Sequence, residues 1–179
     1  MVAPIETIVA GTIETPLGPL QAICSAQGLC RLTFAGEEPA ACARWRRCWL
    51  PDATMIDDDG RLDTVATQLA AYFDGTLHHF TVPLDLRGTP FQRRVWEALC
   101  AIPYGAVRSY AQHALAIDQP RAVRAVGAAN GANPIAIVVP CHRLIGSRGS
   151  LVKYGGGLQV KRYLLDHEGA DLAAVAGRG

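Results

Sequence analysis

The chain has 179 residues, half of them hydrophobic and 18% charged, with a formal net charge of +1. This composition is typical of a folded protein with one core or two small ones, and no apolar run approaches the ~18 residues that a membrane-spanning helix needs. The first ten residues lack the basic patch and long apolar core of a secretory signal. We therefore expect a cytoplasmic protein with no membrane partner, whose six cysteines are mostly reduced.

Charge is distributed unevenly along the chain. Residues 1–86 carry 5 Lys and Arg against 11 Asp and Glu, whereas residues 87–168 carry 11 against 4. A basic second half favours contact with a polyanion such as nucleic acid, although solvated charged faces would give the same asymmetry.

The first half is predicted to form strands and then helices. Apolar residues alternate in 7–15, 20–26 and 29–36, with turn-forming PLGP and SAQG between them, which predicts a small antiparallel sheet. Helical apolar spacing follows in 39–50 and 61–73. The connector TVPLDLRGTP then predicts a boundary near Leu86, which separates an N-terminal α/β domain, 1–86, from a second domain, 87–179.

The second half is predicted to be helical. Thr89 is placed to cap one helix, and Ser109 with Gln112 forms a capping-box pattern that opens a second. Pro120 is predicted to open a third helix, RAVRAVGAAN, after a break of three or four residues, which makes a helix-turn-helix unit. Apart from Arg124, this third helix carries mostly alanine and glycine, so it is slim enough to enter a narrow groove of DNA. A packed core helix with Arg124 at the surface is the alternative.

A candidate nucleophile follows the most apolar run of the chain. Residues 135–139, IAIVV, are predicted to form a strand buried on both faces, and Pro140 then leads into Cys141, His142 and Arg143. A free thiol is mostly protonated at neutral pH and needs a base or a positive field nearby to react. Because neighbouring side chains on extended chain point in opposite directions, His142 could serve Cys141 only if the chain turns after Pro140.

Two polar residues could support such an arrangement. Asn133 precedes the apolar run and could hydrogen-bond its turn, and Glu168, near the end of the last predicted helix, could orient the far nitrogen of His142. A buried cysteine beside a surface histidine would explain the same pattern without any chemistry.

The motif PCHR, with NP seven residues upstream of Pro140, resembles the signature of the O6-alkylguanine-DNA alkyltransferase family. The similarity runs from about residue 12 to residue 169 and includes TPLGPL, GLCRLTF, TPFQRRVWEALCAIPYGAVRSYAQHALAI, RAVRAVGAANGANPIAIVVPCHRLIG and YGGGLQVKRYLLDHEG. It implies an α+β fold. A small N-terminal antiparallel sheet with helices would be ribonuclease H-like, and a mainly helical C-terminal winged helix-turn-helix domain would bind DNA and carry the active site.

The resemblance also implies an activity, direct-reversal DNA repair by a methylated-DNA–protein-cysteine S-methyltransferase. A methyl or larger alkyl group would pass irreversibly from O6-alkylguanine, and from O4-alkylthymine, in double-stranded DNA to Cys141 after nucleotide flipping. Each molecule would act once. The family needs no cofactor and no obligate protein partner, so a monomer bound in the minor groove is expected.

Roles follow by position from the resemblance. Cys141 is the acceptor, His142 removes the thiol proton through a water, and Glu168 orients His142. Asn133 supports the active-site turn, and Tyr110 protonates guanine N3. The implied DNA contacts are Arg124, which fills the space of the flipped nucleotide, with Ser109, Ala122, Ala125 and Gly127. The implied pocket residues are Val139, Pro140, Leu144, Tyr154, Gly155 and Gly156.

Three positions depart from the commonest family pattern. Leu144 stands where valine is more usual, Gly155 where some relatives carry a serine facing guanine O6, and Ala136 where some carry proline. These differences leave the tolerated alkyl size open.

Two cysteines of the first half could either bind zinc or serve as core residues. Cys24 and Cys30 face each other across a predicted hairpin, and His78 or His79 could join them, with Glu6 as a further ligand, as some family members bind zinc near here. Without a clear fourth ligand the prediction is no metal, with these cysteines as small core residues.

Two other functions remain open at the level of sequence. A lesion-binding module without transfer chemistry is one, although relatives of that kind lack the acceptor cysteine. A thiol hydrolase that uses Cys141, His142 and Asn133 is the other, and the basic helix-turn-helix argues against it.

Overall fold

A computed structural model describes residues 6–36 and 38–175 of the chain. The chain folds as two units, Met1–Arg87 and Gly88–Gly179. Strands and helices together confirm the α+β class predicted from the sequence. Within the described ranges, no helix is both long enough and apolar enough to cross a membrane.

The first unit contains a four-stranded sheet and two helices. The strands are β1 Thr7–Ile13, β2 Leu20–Ser25, β3 Leu29–Phe34 and β4 Thr54–Met55, in the order β3-β2-β1-β4, and the helices are α1 Pro39–Trp49 and α2 Arg61–Phe73. As predicted, β1 pairs antiparallel with β2, and β2 pairs antiparallel with β3. Strand β4 joins β1 in parallel and is not predicted, because two residues carry no hydrophobic alternation.

Helix α2 packs an apolar stripe on the sheet. Its buried residues recur at helical spacing and are Leu62, Val65, Leu69 and Tyr72. Leu62 approaches β1 so closely that a Cβ at Gly11 would lie 2.6 Å from its Cδ1 atom. A side chain at position 11 would therefore force the end of the Leu62 side chain to shift.

The second unit is mainly helical. It comprises α3 Pro90–Cys100, α4 Tyr110–Ala116, α5 Val123–Gly131 and α6 Gly157–His167, with 3-10 helices at Cys141–Arg143 and Leu172–Val175. The short strands β5 Arg108–Ser109 and β6 Leu144–Ile145 pair in parallel. Helices α3 and α5 pack together, and buried Trp96 of α3 donates from Nε1 to the carbonyl oxygen of Ala129 on α5 at 2.8 Å.

Side-chain caps define where α3 and α4 begin. Thr89 caps α3 as predicted, since its hydroxyl accepts from the Gln92 backbone N–H at 3.3 Å while the Gln92 side chain accepts from the Thr89 N–H at 2.9 Å. The predicted capping box of Ser109 and Gln112 is present at α4, with distances of 3.1 and 2.8 Å. These local signals are confirmed because they need no distant partner.

Helix α5 begins later than predicted. Its first residue is Val123 and not Pro120, and the connection from α4 covers residues 117–122, more than the three or four expected. The carbonyl oxygen of Gln119 accepts from the Ala122 N–H at 2.8 Å, which places Pro120 at the second position of a β-turn, where proline is favoured. Pro120 therefore occupies a turn and does not begin the helix.

The predicted strand over residues 135–139 is wrong. The run is buried, as predicted, but forms consecutive turns. Ile137 has a φ of 69°, a left-handed conformation that is rare for a β-branched residue, and the Val139 N–H bonds the Ile135 carbonyl oxygen at 3.1 Å. A short apolar run has no periodicity that separates a buried strand from another buried conformation.

Replacing Thr89 with alanine is expected to lower the free energy of unfolding by ~1 kcal/mol, because the first turn of α3 loses its side-chain acceptor. The thermal midpoint should fall by roughly 2–4 °C for a protein of this size. Thermal unfolding followed by circular dichroism measures the shift. Exposed Ser147→Ala is the control and should leave the midpoint unchanged, and an equal shift in both variants would contradict the capping role.

Candidate active site

The apolar turn delivers Cys141 directly into a 3-10 helix. The Cys141 N–H bonds the Val139 carbonyl oxygen at 2.8 Å, and the Arg143 N–H bonds that of Pro140 at 3.0 Å. The chain therefore turns after Pro140, as it must if His142 is to act as a base for Cys141.

Asn133 holds the two ends of this turn. Its Nδ2 donates to the carbonyl oxygens of Val139 at 2.8 Å and Ile135 at 3.3 Å, and its Oδ1 accepts from the Ile135 N–H at 3.0 Å. These bonds satisfy backbone groups that a strand partner would otherwise pair, and they secure the left-handed conformation at Ile137.

His142 and Glu168 form a buried pair. His142 Nε2 lies 2.8 Å from Glu168 Oε1, and both side chains are fully buried. Because a carboxylate is acceptor-only, Nε2 carries the proton and Nδ1 of the neutral ring has a free lone pair. Within the described part of the chain, no protein group hydrogen-bonds Nδ1. Burial lowers the pKa of His142, against the opposing effect of Glu168, so the neutral ring is favoured.

Arg143 completes the arrangement around Glu168. Its Nε lies 2.9 Å from Glu168 Oε2 and its Nη2 lies 2.9 Å from Oε1, while Nη1 donates to the Ile102 carbonyl oxygen. The Gly105 N–H also donates to Oε2, at 3.2 Å. Burial by itself would raise the pKa of Glu168, but hydrogen bonds from His142 and Arg143 outweigh burial and lower that pKa to about 2.

The thiol of Cys141 is itself a weak nucleophile in this setting. The residue is 5% exposed, and burial raises the pKa of its thiol. A hydrogen bond from Asn133, the positive charge of Lys161 and a hydrogen bond from Tyr154 act in the opposite direction. The thiolate therefore depends on its neighbours and on a base.

Lys161 belongs to this site although no sequence motif singled it out. It is fully buried on α6, and its Nζ donates to the carbonyl oxygens of Leu144 at 2.5 Å and Val152 at 3.3 Å. Burial lowers its pKa to about 8. A signal was available, because Lys161 precedes the buried Leu164 and Leu165 by three and four residues on the same helix face.

A cavity of about 690 Å³ lies in the second unit between α5, the start of α4 and the segment after Leu151. Of the predicted site residues, those in its wall are Tyr110, Arg124, Gly127, Tyr154 and Gly155. Cys141, Val139, Pro140, Leu144 and Gly156 are outside this wall, and all but Gly156 are buried. Tyr154 connects the cavity to the reacting group, since it lines the cavity and also acts to lower the pKa of Cys141.

Tyr110 also connects the cavity with Cys141. It is half-buried at the start of α4. Burial raises the pKa of its phenol, and the nearby Cys141 raises it further. A phenol of raised pKa keeps its proton and can donate a hydrogen bond to a base in the cavity.

The outer face of α5 is exposed and, apart from Arg124, carries small side chains. Arg124 and Ala125 are exposed, whereas Ala122 and Gly127 are half-buried. Ser109, predicted as a DNA contact, is buried and its hydroxyl caps α4. The face therefore presents one long basic side chain on a slim helix.

The cysteines of the first unit are separate from this chemistry. In residues 6–36 and 38–175, no group of three or more His, Cys, Asp or Glu is arranged to hold a metal ion. Cys30 donates to the Ile23 carbonyl oxygen at 3.1 Å, and Glu6 is paired with Arg87. Burial raises the pKa of Cys24 to about 11 and that of Cys30 to about 12, as expected of core thiols.

Replacing Glu168 with glutamine is expected to change how stability depends on pH. The carboxyl has a pKa of about 2, below its usual 4.5, so its contribution is complete above about pH 4.5 and is lost as the pH falls towards about 2. The variant should be less stable at neutral pH by roughly 3–5 kcal/mol, the effect of breaking a buried pair, and its stability should decline less between those pH values.

Denaturant unfolding at a series of pH values measures this dependence. Glu97→Gln, an exposed carboxylate on α3, is the control and should follow the wild type. A wild-type curve as flat as that of Glu168→Gln would refute the expectation.

Comparison with known proteins places this site in a family. Two sequence models described as 6-O-methylguanine DNA methyltransferase match the chain, the ribonuclease-like domain over residues 8–86 and the DNA binding domain over residues 90–170. The methylated-DNA–protein-cysteine methyltransferase of Mycobacterium tuberculosis is 49% identical over 159 residues, which cover 88% of this chain and 90% of that protein.

Further relatives agree with this match. The inducible methylated-DNA–protein-cysteine methyltransferase of Bacillus subtilis is 50% identical over 124 residues, 69% of each chain. The structure of Mycobacterium tuberculosis OGT in complex with DNA has a TM-score of 0.77 at 43% identity, and the similarity covers 95% of this chain and 98% of that one. Identity at this level over nearly the full length confirms the resemblance seen in the sequence, and the chain belongs to the 6-O-methylguanine DNA methyltransferase family.

Proposed function

We propose that this protein repairs alkylated DNA by transferring the alkyl group from O6 of guanine, and from O4 of thymine, to Cys141. The observation that carries the proposal is the buried contact of 2.8 Å between His142, which follows Cys141 in the same 3-10 helix, and Glu168 at the end of α6. A nucleophile, a base within reach of it and a carboxylate that orients the base are the requirements for activating a thiol.

The proton path follows from the hydrogen bonds. Glu168 holds Nε2–H of His142, which leaves Nδ1 to take the Cys141 proton through one water. The sulfur then attacks the alkyl carbon, the bond from that carbon to O6 breaks, and the electron pair enters the guanine ring. Tyr110 protonates N3 of the leaving base, so guanine leaves neutral. The phenolate of Tyr110 then regains a proton from water, and His142 releases to water the proton that it took from Cys141.

The cavity beside α5 is the proposed binding place of the flipped base. A base within the duplex cannot reach a sulfur fixed in a protein wall, so the nucleotide must leave the stack. Exposed Arg124 is suited to occupy the space that it leaves, and the bare face of α5 suits the minor groove. Ala122, Ala125 and Gly127 complete the proposed DNA contacts, and Ser109, which is buried, supports them by capping α4. Tyr154 and Gly155 line the cavity, and Val139, Pro140, Leu144 and Gly156 are proposed to form the rest of the pocket around Cys141.

Further properties of the protein follow from this chemistry. The thioether product has no efficient leaving group for water or a cellular thiol, so each molecule acts once and needs no cofactor. A reactive thiol requires a reducing compartment, so we place the protein in the cytoplasm. We also propose that it acts as a monomer, with the domain boundary near Leu86 and both DNA binding and transfer in the second domain.

Mass spectrometry with O6-methylguanine duplex DNA tests the proposal. One methyl group should appear on the peptide that contains Cys141, in an amount that stops at one per protein molecule. Unmodified protein that still binds the lesion would support a binding module, and repeated hydrolysis of an ester or peptide substrate would support a thiol hydrolase. Either result would overturn alkyl transfer.

A further inference from the structure

The carboxylate of Glu168 is fully occupied by hydrogen-bond donors. Oε1 accepts from His142 Nε2 at 2.8 Å and from Arg143 Nη2 at 2.9 Å. Oε2 accepts from Arg143 Nε at 2.9 Å and from the Gly105 N–H at 3.2 Å. His142 therefore shares its orienting carboxylate with a bidentate guanidinium, the strongest and most directional partner that a carboxylate has in proteins.

This sharing has an electrostatic consequence for His142. If Glu168 had no other partner, its buried negative charge would be uncompensated. It would then favour protonation of His142, because the imidazolium would neutralise that charge. The guanidinium is always charged, so Arg143 already neutralises Glu168. The side chains of Arg143 and Glu168 are 7% and 0% exposed, which means that solvent screens this effect little. A neutral His142 is the form that can accept a proton.

The other groups around His142 act in the same direction or are neutral. Burial has the largest effect on the pKa of His142 and lowers it, whereas Glu168 raises it. Arg143 lowers this pKa, and Lys161 on α6 is a second cation that lowers it to a smaller extent. Cys141 is a protonated thiol before reaction, and its pKa is raised by burial. Near the guanidinium lie Tyr104, with its ring centroid 6.0 Å from Arg143 Cζ, and Cys100 on α3. The pKa values of these two groups are raised by burial, so neither supplies a negative charge.

We propose that Arg143 is a positioning residue that neutralises and fixes Glu168, and thereby keeps His142 unprotonated and aimed as the base for Cys141. This role rests on the proposed alkyl transfer and deepens it. Arg143 touches no substrate and acts through Glu168. Its contribution is to extend the reaction to lower pH, because His142 stays available as a base there.

Four variants separate charge from shape. Arg143→Met removes the charge with little loss of volume, and Arg143→Lys keeps the charge but not the two parallel bonds. The double variant Arg143→Met/Glu168→Gln removes both charges, and Arg162→Met removes an exposed arginine of α6 as the control. For each, single-turnover transfer to Cys141 is measured across pH. His142 protonation is followed by NMR in the free protein, and folding is checked by circular dichroism.

In Arg143→Met, His142 should titrate at least about one pH unit higher than in the wild type, and transfer on the acid side should fall by about tenfold. At alkaline pH the rate should return to within about threefold of the wild type, because His142 is then neutral in both proteins. The double variant should titrate as the wild type does. In Arg143→Lys, the pH at which the transfer rate falls on the acid side should lie within about half a pH unit of the wild-type value, because the charge is kept. Transfer should nevertheless be slower at every pH, because the two parallel bonds are lost.

Other outcomes overturn the inference. A folded Arg143→Met with wild-type titration of His142 would show that Arg143 does not set the protonation of this ring. A loss that is equal at every pH and persists in the double variant would assign Arg143 a structural role alone. If Arg143→Met does not fold, a displaced His142 titration in Arg143→Lys is the contradicting result. Failure of the wild type to transfer an alkyl group would refute the proposed function, whereas the NMR titration still tests Arg143.

Discussion

Replacing Cys141 with alanine is expected to abolish alkyl transfer from O6-methylguanine DNA. The remaining cysteines are not expected to substitute, because the base of the His142–Glu168 pair follows Cys141 in the same 3-10 helix. Transfer is measured as methyl groups per protein molecule after a single incubation. No modified peptide should be detected in the variant.

The variant should still bind lesion DNA with a Kd within about twofold of the wild type, since affinity for DNA comes mainly from contacts with phosphates. Cys48→Ala is the matched control, because Cys48 is the exposed cysteine of the described residues. It should transfer normally. Alkylation of another residue in Cys141→Ala at the wild-type rate would show that the acceptor has been misassigned, and a loss in Cys48→Ala would do the same.

Replacing Arg124 with alanine is expected to slow repair of duplex DNA by about 100-fold, because flipping a nucleotide costs a few kcal/mol and the space that it leaves would have no occupant. Reaction with free O6-benzylguanine should change by less than about threefold, since a free base requires no flipping. Single-turnover rates at saturating DNA measure the first effect. The same assay without DNA measures the second.

Arg121→Ala is the matched control for charge. Arg121 is also exposed but lies in the turn before α5, so its loss should weaken DNA affinity without slowing transfer once the protein is saturated. Equal losses with duplex DNA and free base would refute the role proposed for Arg124. So would an Arg121 variant that is as slow as Arg124→Ala at saturation.

The sequence by itself determined much of the local structure. The caps at Thr89 and Ser109 could be predicted because each uses groups within three residues of one another. The three-stranded meander was predictable from alternation, and the family from the PCHR and NP motifs with their flanking segments. The sequence also singled out Cys141, His142, Glu168 and Asn133, whose side chains the structure brings together around one turn.

Only the tertiary structure decided how that turn is built and how its charges are balanced. The run 135–139 is a buried turn and not a strand, and although its bonds to Asn133 are local, a short apolar run fits either conformation until it is packed. The three hydrogen bonds of Arg143 and the burial of Lys161 depend on residues from different elements. Hydrophobic periodicity reports which face of an element is buried, but it does not report which distant polar group will meet another there, because that depends on packing.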